Sequence, residues 1–202
     1  MIRRMRHVVS NVAHAAMIFC WAIFGVVWVA GALLERRRGA EPARKEGRDM
    51  ASTVAAICGL LAVTTPGSIW APLVVASPAM RLVGIPTLVA STAGTVWARI
   101  AIGTMWSSGA LAREGHVLRT TGPYRFTRHP IYTAIIGMVC GTALCEGIGR
   151  WALIFGLVTA MLAVKARAEE RLLLQEFGAA YGRYRQQVPG LIPSIRRLWK
   201  SA

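Results

Sequence analysis

Apolar residues run through this chain in blocks long enough to cross a bilayer, and polar residues gather between the blocks. Residues 13–34, AHAAMIFCWAIFGVVWVAGALL, hold 22 positions without Asp, Glu, Lys or Arg. That suffices for a hydrocarbon core of about 30 Å at about 1.5 Å per residue. Ala30-Gly31-Ala32 has the small residues of a leader cleavage site. The apolar core exceeds the roughly 7–15 residues of a leader and further spans follow, so the block is read as an uncleaved first span. A second block, Ala51–Ser77, contains Pro66-Gly67 and Pro72, which should kink or interrupt its helix. The third span is expected at Leu82–Ile102, with Pro86 early and Arg99 near its far end. A charge there is costly in lipid, so Arg99 should snorkel or face a polar cavity.

A polar interruption, Gly103–Arg128, follows. Two shorter apolar pieces come next, Ile131–Cys145 and Trp151–Val164, on either side of Glu146-Gly147-Ile148-Gly149-Arg150. As helices each is roughly 21–23 Å long, and together they read as a tight hairpin. The pattern predicts an all-α, polytopic integral membrane protein of about five transmembrane helices. Residues 1–96 would form N-terminal membrane spans, and 97–202 a core with a polar loop, a helical hairpin and a basic C-terminal helix.

Composition agrees: 54% of residues are apolar and 16% charged, with mean hydropathy +0.45. The net charge of +15 gives the blocks a direction. With five spans, the loop 35–50, the segment 103–130 and the tail share one side. They carry most of the positive charge, which makes that side cytoplasmic and the membrane the inner one. The N-terminal arginines Arg3, Arg4 and Arg6 then face outside, against the rule. No basic stripe interleaved with exposed aromatics marks a soluble nucleic-acid module, so nucleic acid is not read as a partner. Cys20, Cys58, Cys140 and Cys145 all lie in apolar segments without metal-ligand spacing. They read as small hydrophobes, and no metal site is expected.

Two stretches stand out chemically. In Thr121–Ala134, TGPYRFTRHPIYTA, Gly122-Pro123 makes a turn. Pro130 biases His129 away from helical geometry and is itself tolerated in the first turn of a helix. Arg128, His129 and the backbone N–H groups of that helix start should converge near its positive end, which suits an anion. Equally, the arginines could snorkel to lipid phosphates while His129 caps. In the tail, Glu170, Leu173, Phe177, Tyr181, Tyr184 and Val188 follow helical spacing along one face, and Pro189-Gly190 ends it. An amphipathic helix on the membrane surface accounts for the aromatic and basic residues, but not for Glu169 and Glu170 side by side at the end of a span.

Taken in order, Gly115-His116-Val117-Leu118, Gly122-Pro123-Tyr124-Arg125, Arg128-His129-Pro130-Ile131-Tyr132, Glu169-Glu170 and the FG-x-x-Y-x-x-Y-x-x-x-VP-x-x-IP tail form a series. It resembles the isoprenylcysteine carboxyl methyltransferase family, itself similar to the phospholipid N-methyltransferases, over residues 97–193. The resemblance implies a membrane methyltransferase that uses S-adenosylmethionine without a Rossmann domain. Carried over by position, it implies a cofactor pocket of His116, Val117, Leu118, Tyr124, Arg128, His129, Pro130 and Tyr132, closed by Glu169 and Glu170. Ala134 stands where such enzymes often have glycine, a small change.

The implied chemistry is attack on a sulfonium methyl by a lipid-like or membrane-embedded acceptor at the cytoplasmic face, the protein supplying alignment and dryness. Glu170 or His129 would take a proton from an amine acceptor, and Arg99, Arg183 or Arg185 would anchor a carboxylate. Glu170, His129 and Arg185 are therefore the candidate catalytic residues. Two rivals remain at this point: an NADPH-dependent membrane reductase related to sterol reductases, and a non-catalytic scaffold whose basic tail binds anionic lipid.

Overall fold

The structure, a computed structural model, describes residues 2–37, 64–103 and 118–193. Every regular element among them is helical. Helix α1 runs Ile2–Arg37, and its membrane-competent part, His7–Leu34, contains the expected first span. Of the expected second span, residues 51–63 lie outside the described residues. From 64 onward the prolines break the chain into a four-residue helix α2, Gly67–Trp70, and a 3-10 turn, Ala71–Leu73.

Helix α3, Pro78–Ile102, starts four residues earlier than hydropathy suggests, because Ser77 caps it. The Ser77 hydroxyl accepts from Met80 N at 3.2 Å, and Pro78 takes the first turn, where no N–H is needed. Helix α4, Pro130–Glu146, begins at the proline, as the sequence requires. It ends at Gly147, whose φ of +103° suits only glycine; a Cβ there would stand 2.8 Å from the Val74 side chain.

Helix α5 corrects one expectation. The apolar piece does not stop at Val164; α5, Ile148–Gln187, carries on through the charged residues to a break at Gly178 (φ +49°), and a short helical segment follows it. Residues 165–177, KARAEERLLLQEF, contain no glycine or proline and are rich in strong helix formers, so charge ends the hydropathy but not the helix. Between the non-helical Gly149 and Gly178, α5 is about 42 Å long, well over the hydrocarbon thickness of about 30 Å. Glu169 and Glu170 sit about 32 Å along it, where the hydrocarbon would end. By length and composition α1, α3 and α5 can cross a membrane, and α4 is a shorter apolar helix.

Small residues let α3 and α4 approach closely. A Cβ on Gly84 would meet Leu144 and Cys145 at 2.9 Å, and one on Gly141 would meet the Leu88 backbone nitrogen at 2.8 Å. In the apolar interior the hydroxyls of Thr92, Thr95 and Thr142 donate back to carbonyls four residues earlier, each at 2.9 Å, so none of these three is stranded. Thr142 also accepts from Trp21 Nε1 at 3.1 Å, tying α1 to α4. Gly141→Ala should therefore lower stability by about 1–3 kcal/mol through overpacking. Gly156→Ala, where a Cβ meets nothing within 4 Å, should leave stability unchanged. Thermal unfolding of the two variants in detergent checks the contrast.

Candidate active site

The site is built where α4 begins and α5 leaves the apolar zone. Gly122 (φ +63°) opens a 3-10 turn, Gly122–Arg125, that buries Pro123 and Tyr124. Arg125 lies over the Phe126 ring at 4.5 Å, and Phe126 packs on Trp97 of α3. Tyr184 on α5 donates its hydroxyl to Tyr124 O at 2.6 Å.

A strap from the end of α5 closes over the same loop. Arg128 N donates to Pro189 O at 2.9 Å and His129 N to Gly190 O at 3.2 Å. The Thr127 hydroxyl donates to Gly190 O, and the Thr133 hydroxyl to Leu191 O at 2.6 Å. The backbone N–H groups of Arg128 and His129, just before the helix start, are thus turned to strap carbonyls.

The anion that meets Arg128 is the Glu170 carboxylate. Its Oε1 accepts from Arg128 Nε at 2.9 Å and Nη2 at 2.7 Å, and from His129 Nε2 at 3.2 Å. Both charged side chains are only 12% exposed. Arg185 approaches the other oxygen, Nε to Oε2, at 3.5 Å. Arg128 Nη1 donates to Arg185 O at 3.0 Å and to Val188 O, so one guanidinium fastens helix, carboxylate and strap together.

Glu169 forms the second half. Tyr132 donates its hydroxyl to Glu169 Oε1, and the Tyr132 ring lies parallel to His129, centroids 5.5 Å apart. His129 Nδ1 is 3.6 Å from Glu169 Oε2. Burial depresses the His129 pKa, against the upward pull of both glutamates and aided by Arg128, so the imidazole is neutral near pH 7. Burial, reinforced by Glu169, pushes the Tyr124 phenol well above its usual range. Both rings are therefore uncharged parts of the wall.

Tyr124, Arg128, His129, Pro130, Tyr132, Glu169, Glu170 and Arg185 converge here, with Leu118 packed against Tyr181, Tyr184 and Val188. His116 and Val117 fall outside the described residues. Arg99 is buried, as a polar cavity would require. It donates from Nη1 to Gly103 O at 3.3 Å, packs against Gly31 of α1, and lies within electrostatic reach of Tyr124. Sequence reasoning passed over Thr127, Thr133 and the 188–191 strap; their one visible signal was Pro189-Gly190 at the helix end.

The chain is similar to known proteins in sequence and in fold. Residues 82–175 match the family model described as the isoprenylcysteine carboxyl methyltransferase (ICMT) family. The chain is 36% identical over 83 residues to protein-S-isoprenylcysteine O-methyltransferase of Schizosaccharomyces pombe, covering 41% of this chain and 35% of that protein. It is 35% identical over 83 residues to methanethiol S-methyltransferase 2 of Bradyrhizobium diazoefficiens, covering 41% of this chain and 31% of that protein. These matches span about a third of each relative. The solved structure of a eukaryotic intramembrane Ras methyltransferase superposes with a TM-score of 0.51 at 22% identity, over 86% of this chain and 67% of that one, a likeness of fold.

Proposed function

From the chain's membership of the isoprenylcysteine carboxyl methyltransferase family, we propose that it is an S-adenosylmethionine-dependent integral membrane methyltransferase. It acts on a lipid-like or membrane-embedded acceptor, at the cytoplasmic face of the inner membrane. The observation that carries the reading is the pair Glu169 and Glu170, delivered by an apolar helix onto Arg128, His129 and Tyr132.

The donor set fits such a cofactor. Carboxylates accept from an ammonium, ribose hydroxyls or an adenine amine, and a tyrosine face beside carboxylates favours a sulfonium. Bound there, the cofactor supplies an electrophilic methyl group. The chain's own groups align the reactants and keep water out. Leu118 lines the apolar side beside Tyr181, Tyr184 and Val188, and Pro130 fixes the start of α4. The neutral His129 can take a proton from an amine acceptor at its unprotonated ring nitrogen. Glu170, held by Arg128 and His129, orients that imidazole. For a carboxylate acceptor, the half-exposed Arg185 and the buried Arg99 offer positive charge.

S-adenosylhomocysteine should raise the melting temperature of the detergent-solubilised protein, and NADPH should not. Saturation at 100 times Kd corresponds to about 2.7 kcal/mol. A shift with NADPH alone sinks the reading in favour of a reductase, and no shift with either favours a scaffold. Lipid mass spectrometry after incubation with methyl-labelled cofactor would then name the acceptor.

A further inference from the structure

Helix α5 turns one continuous stripe outward. Leu153, Gly156, Ala160, Val164, Arg167 and Arg171 are all exposed and follow one another at helical spacing along a single face. The other side of the helix carries the buried Ile154, Leu162 and Ala166. Up to Val164 the stripe is apolar, as a surface against acyl chains should be. Two guanidinium groups then continue it, about 27 and 33 Å beyond Gly149, at the depth where the hydrocarbon ends.

Cations one turn apart on a helix repel each other. The acids nearest to this pair are committed elsewhere. Glu170 gives its carboxylate to Arg128, His129 and Arg185. Glu169 lies across the helix, with Tyr132 and His129. Glu176 stands more than a turn beyond Arg171. Among the described residues no carboxylate pairs with Arg167 or Arg171. Lys165 shares their depth but not their face, since its Nζ is 5.7 Å from the Tyr132 ring centroid. At the membrane boundary α5 therefore points its glutamates inward and two arginines straight out at the lipid.

We propose that Arg167 and Arg171 bind the headgroup of an anionic phospholipid whose acyl chains lie along Val164, Ala160 and Leu153. A guanidinium can hold a phosphate through two parallel N–H···O bonds, and two guanidiniums a turn apart can share one phosphodiester. The stripe selects this occupant. A soluble anion would make no use of the apolar positions below the arginines. A second copy of the chain, docked in parallel on the same stripe, would bring four guanidiniums together. The lipid would sit away from the Arg128–His129–Tyr132 cluster, so it is not the methyl acceptor. It would hold α5 at the depth that keeps Glu169 and Glu170 at the boundary. Its binding needs no cofactor and does not depend on the methyltransferase reading.

The test reads the thermal midpoint of the full-length protein in phosphatidylcholine nanodiscs, with and without phosphatidylglycerol. Phosphatidylglycerol should raise the wild-type midpoint, and inorganic phosphate added to phosphatidylcholine nanodiscs should not. Arg167→Gln/Arg171→Gln should lose most of the rise, since about fivefold per arginine at an anionic surface makes lipid binding about thirtyfold weaker. Lys165→Gln, with one cation fewer at the same depth, should keep it. In detergent free of lipid the double variant should melt at the wild-type temperature or above, because a repulsion has been removed. No rise in the wild type, a full rise in the double variant, or an equal loss in Lys165→Gln overturns the site. A rise with inorganic phosphate overturns the lipid as its occupant. A lower midpoint of the double variant in lipid-free detergent gives the arginines a partner within the protein, and overturns the site as well.

Discussion

Glu170→Gln is expected to slow methyl transfer at least about a hundredfold in a protein that still folds, the scale on which losing one preorganised electrostatic contact acts. One carboxylate oxygen collects Arg128 Nε, Arg128 Nη2 and His129 Nε2, and the other faces Arg185. The amide oxygen of glutamine can replace the first. Its NH2 then points at the Arg185 cation, donor against donor. Two guanidinium groups are left without the anion between them, and His129 loses the charge that orients its ring. Breaking a fully buried pair costs about 3–5 kcal/mol. Here Arg128 keeps the carbonyls of Arg185 and Val188, and Arg185 is 52% exposed, so about 1–3 kcal/mol is the better figure. Incorporation of labelled methyl groups, measured beside the thermal midpoint, separates the two effects. Glu176→Gln, exposed on the same helix, should leave the rate unchanged. Wild-type turnover in folded Glu170→Gln would remove Glu170 from the site.

What the sequence could reveal followed the range of the forces involved. The start of α4 was legible because the geometry before a proline is local: His129 is non-helical and Pro130 opens the helix. The break at Gly147 and the interruptions at Pro66 and Pro72 were legible for the same reason. The length of α5 was not. Hydropathy registers Lys165 as an end, but the backbone responds to helix propensity and meets no breaker before Gly178. The strap was hidden for a further reason. Its hydrogen bonds join residues about 60 positions apart, and a carbonyl that accepts from a distant N–H leaves no mark on composition or period. Arg128 shows the difference most plainly. Its type and place at a helix start pointed to an anion, and an anion is there, but it is the chain's own Glu170.

Arg128→Lys should be nearly as damaging as losing Glu170, although it preserves the charge. A lysine ammonium has three donors on a flexible stem, whereas the guanidinium at 128 makes four contacts to three residues from one rigid plane. Lysine can follow Glu170 or the strap carbonyls but not both. Pairing with Glu170 releases Arg185 O and Val188 O, and the strap then rests on its contacts to Thr127, Arg128 N, His129 and Thr133. The expected result is at least about a tenfold loss of activity with faster amide exchange at 128 and 129, the two N–H groups that donate to Pro189 and Gly190. Glu170→Gln should leave those amides more protected, because its arginine still holds the strap. The double variant should lose less than the product of the single losses, since both act on one carboxylate–guanidinium unit. Unchanged exchange at 128 and 129 in Arg128→Lys would mean that the strap does not depend on the guanidinium. Strictly multiplicative losses would mean that the two side chains serve the reaction separately.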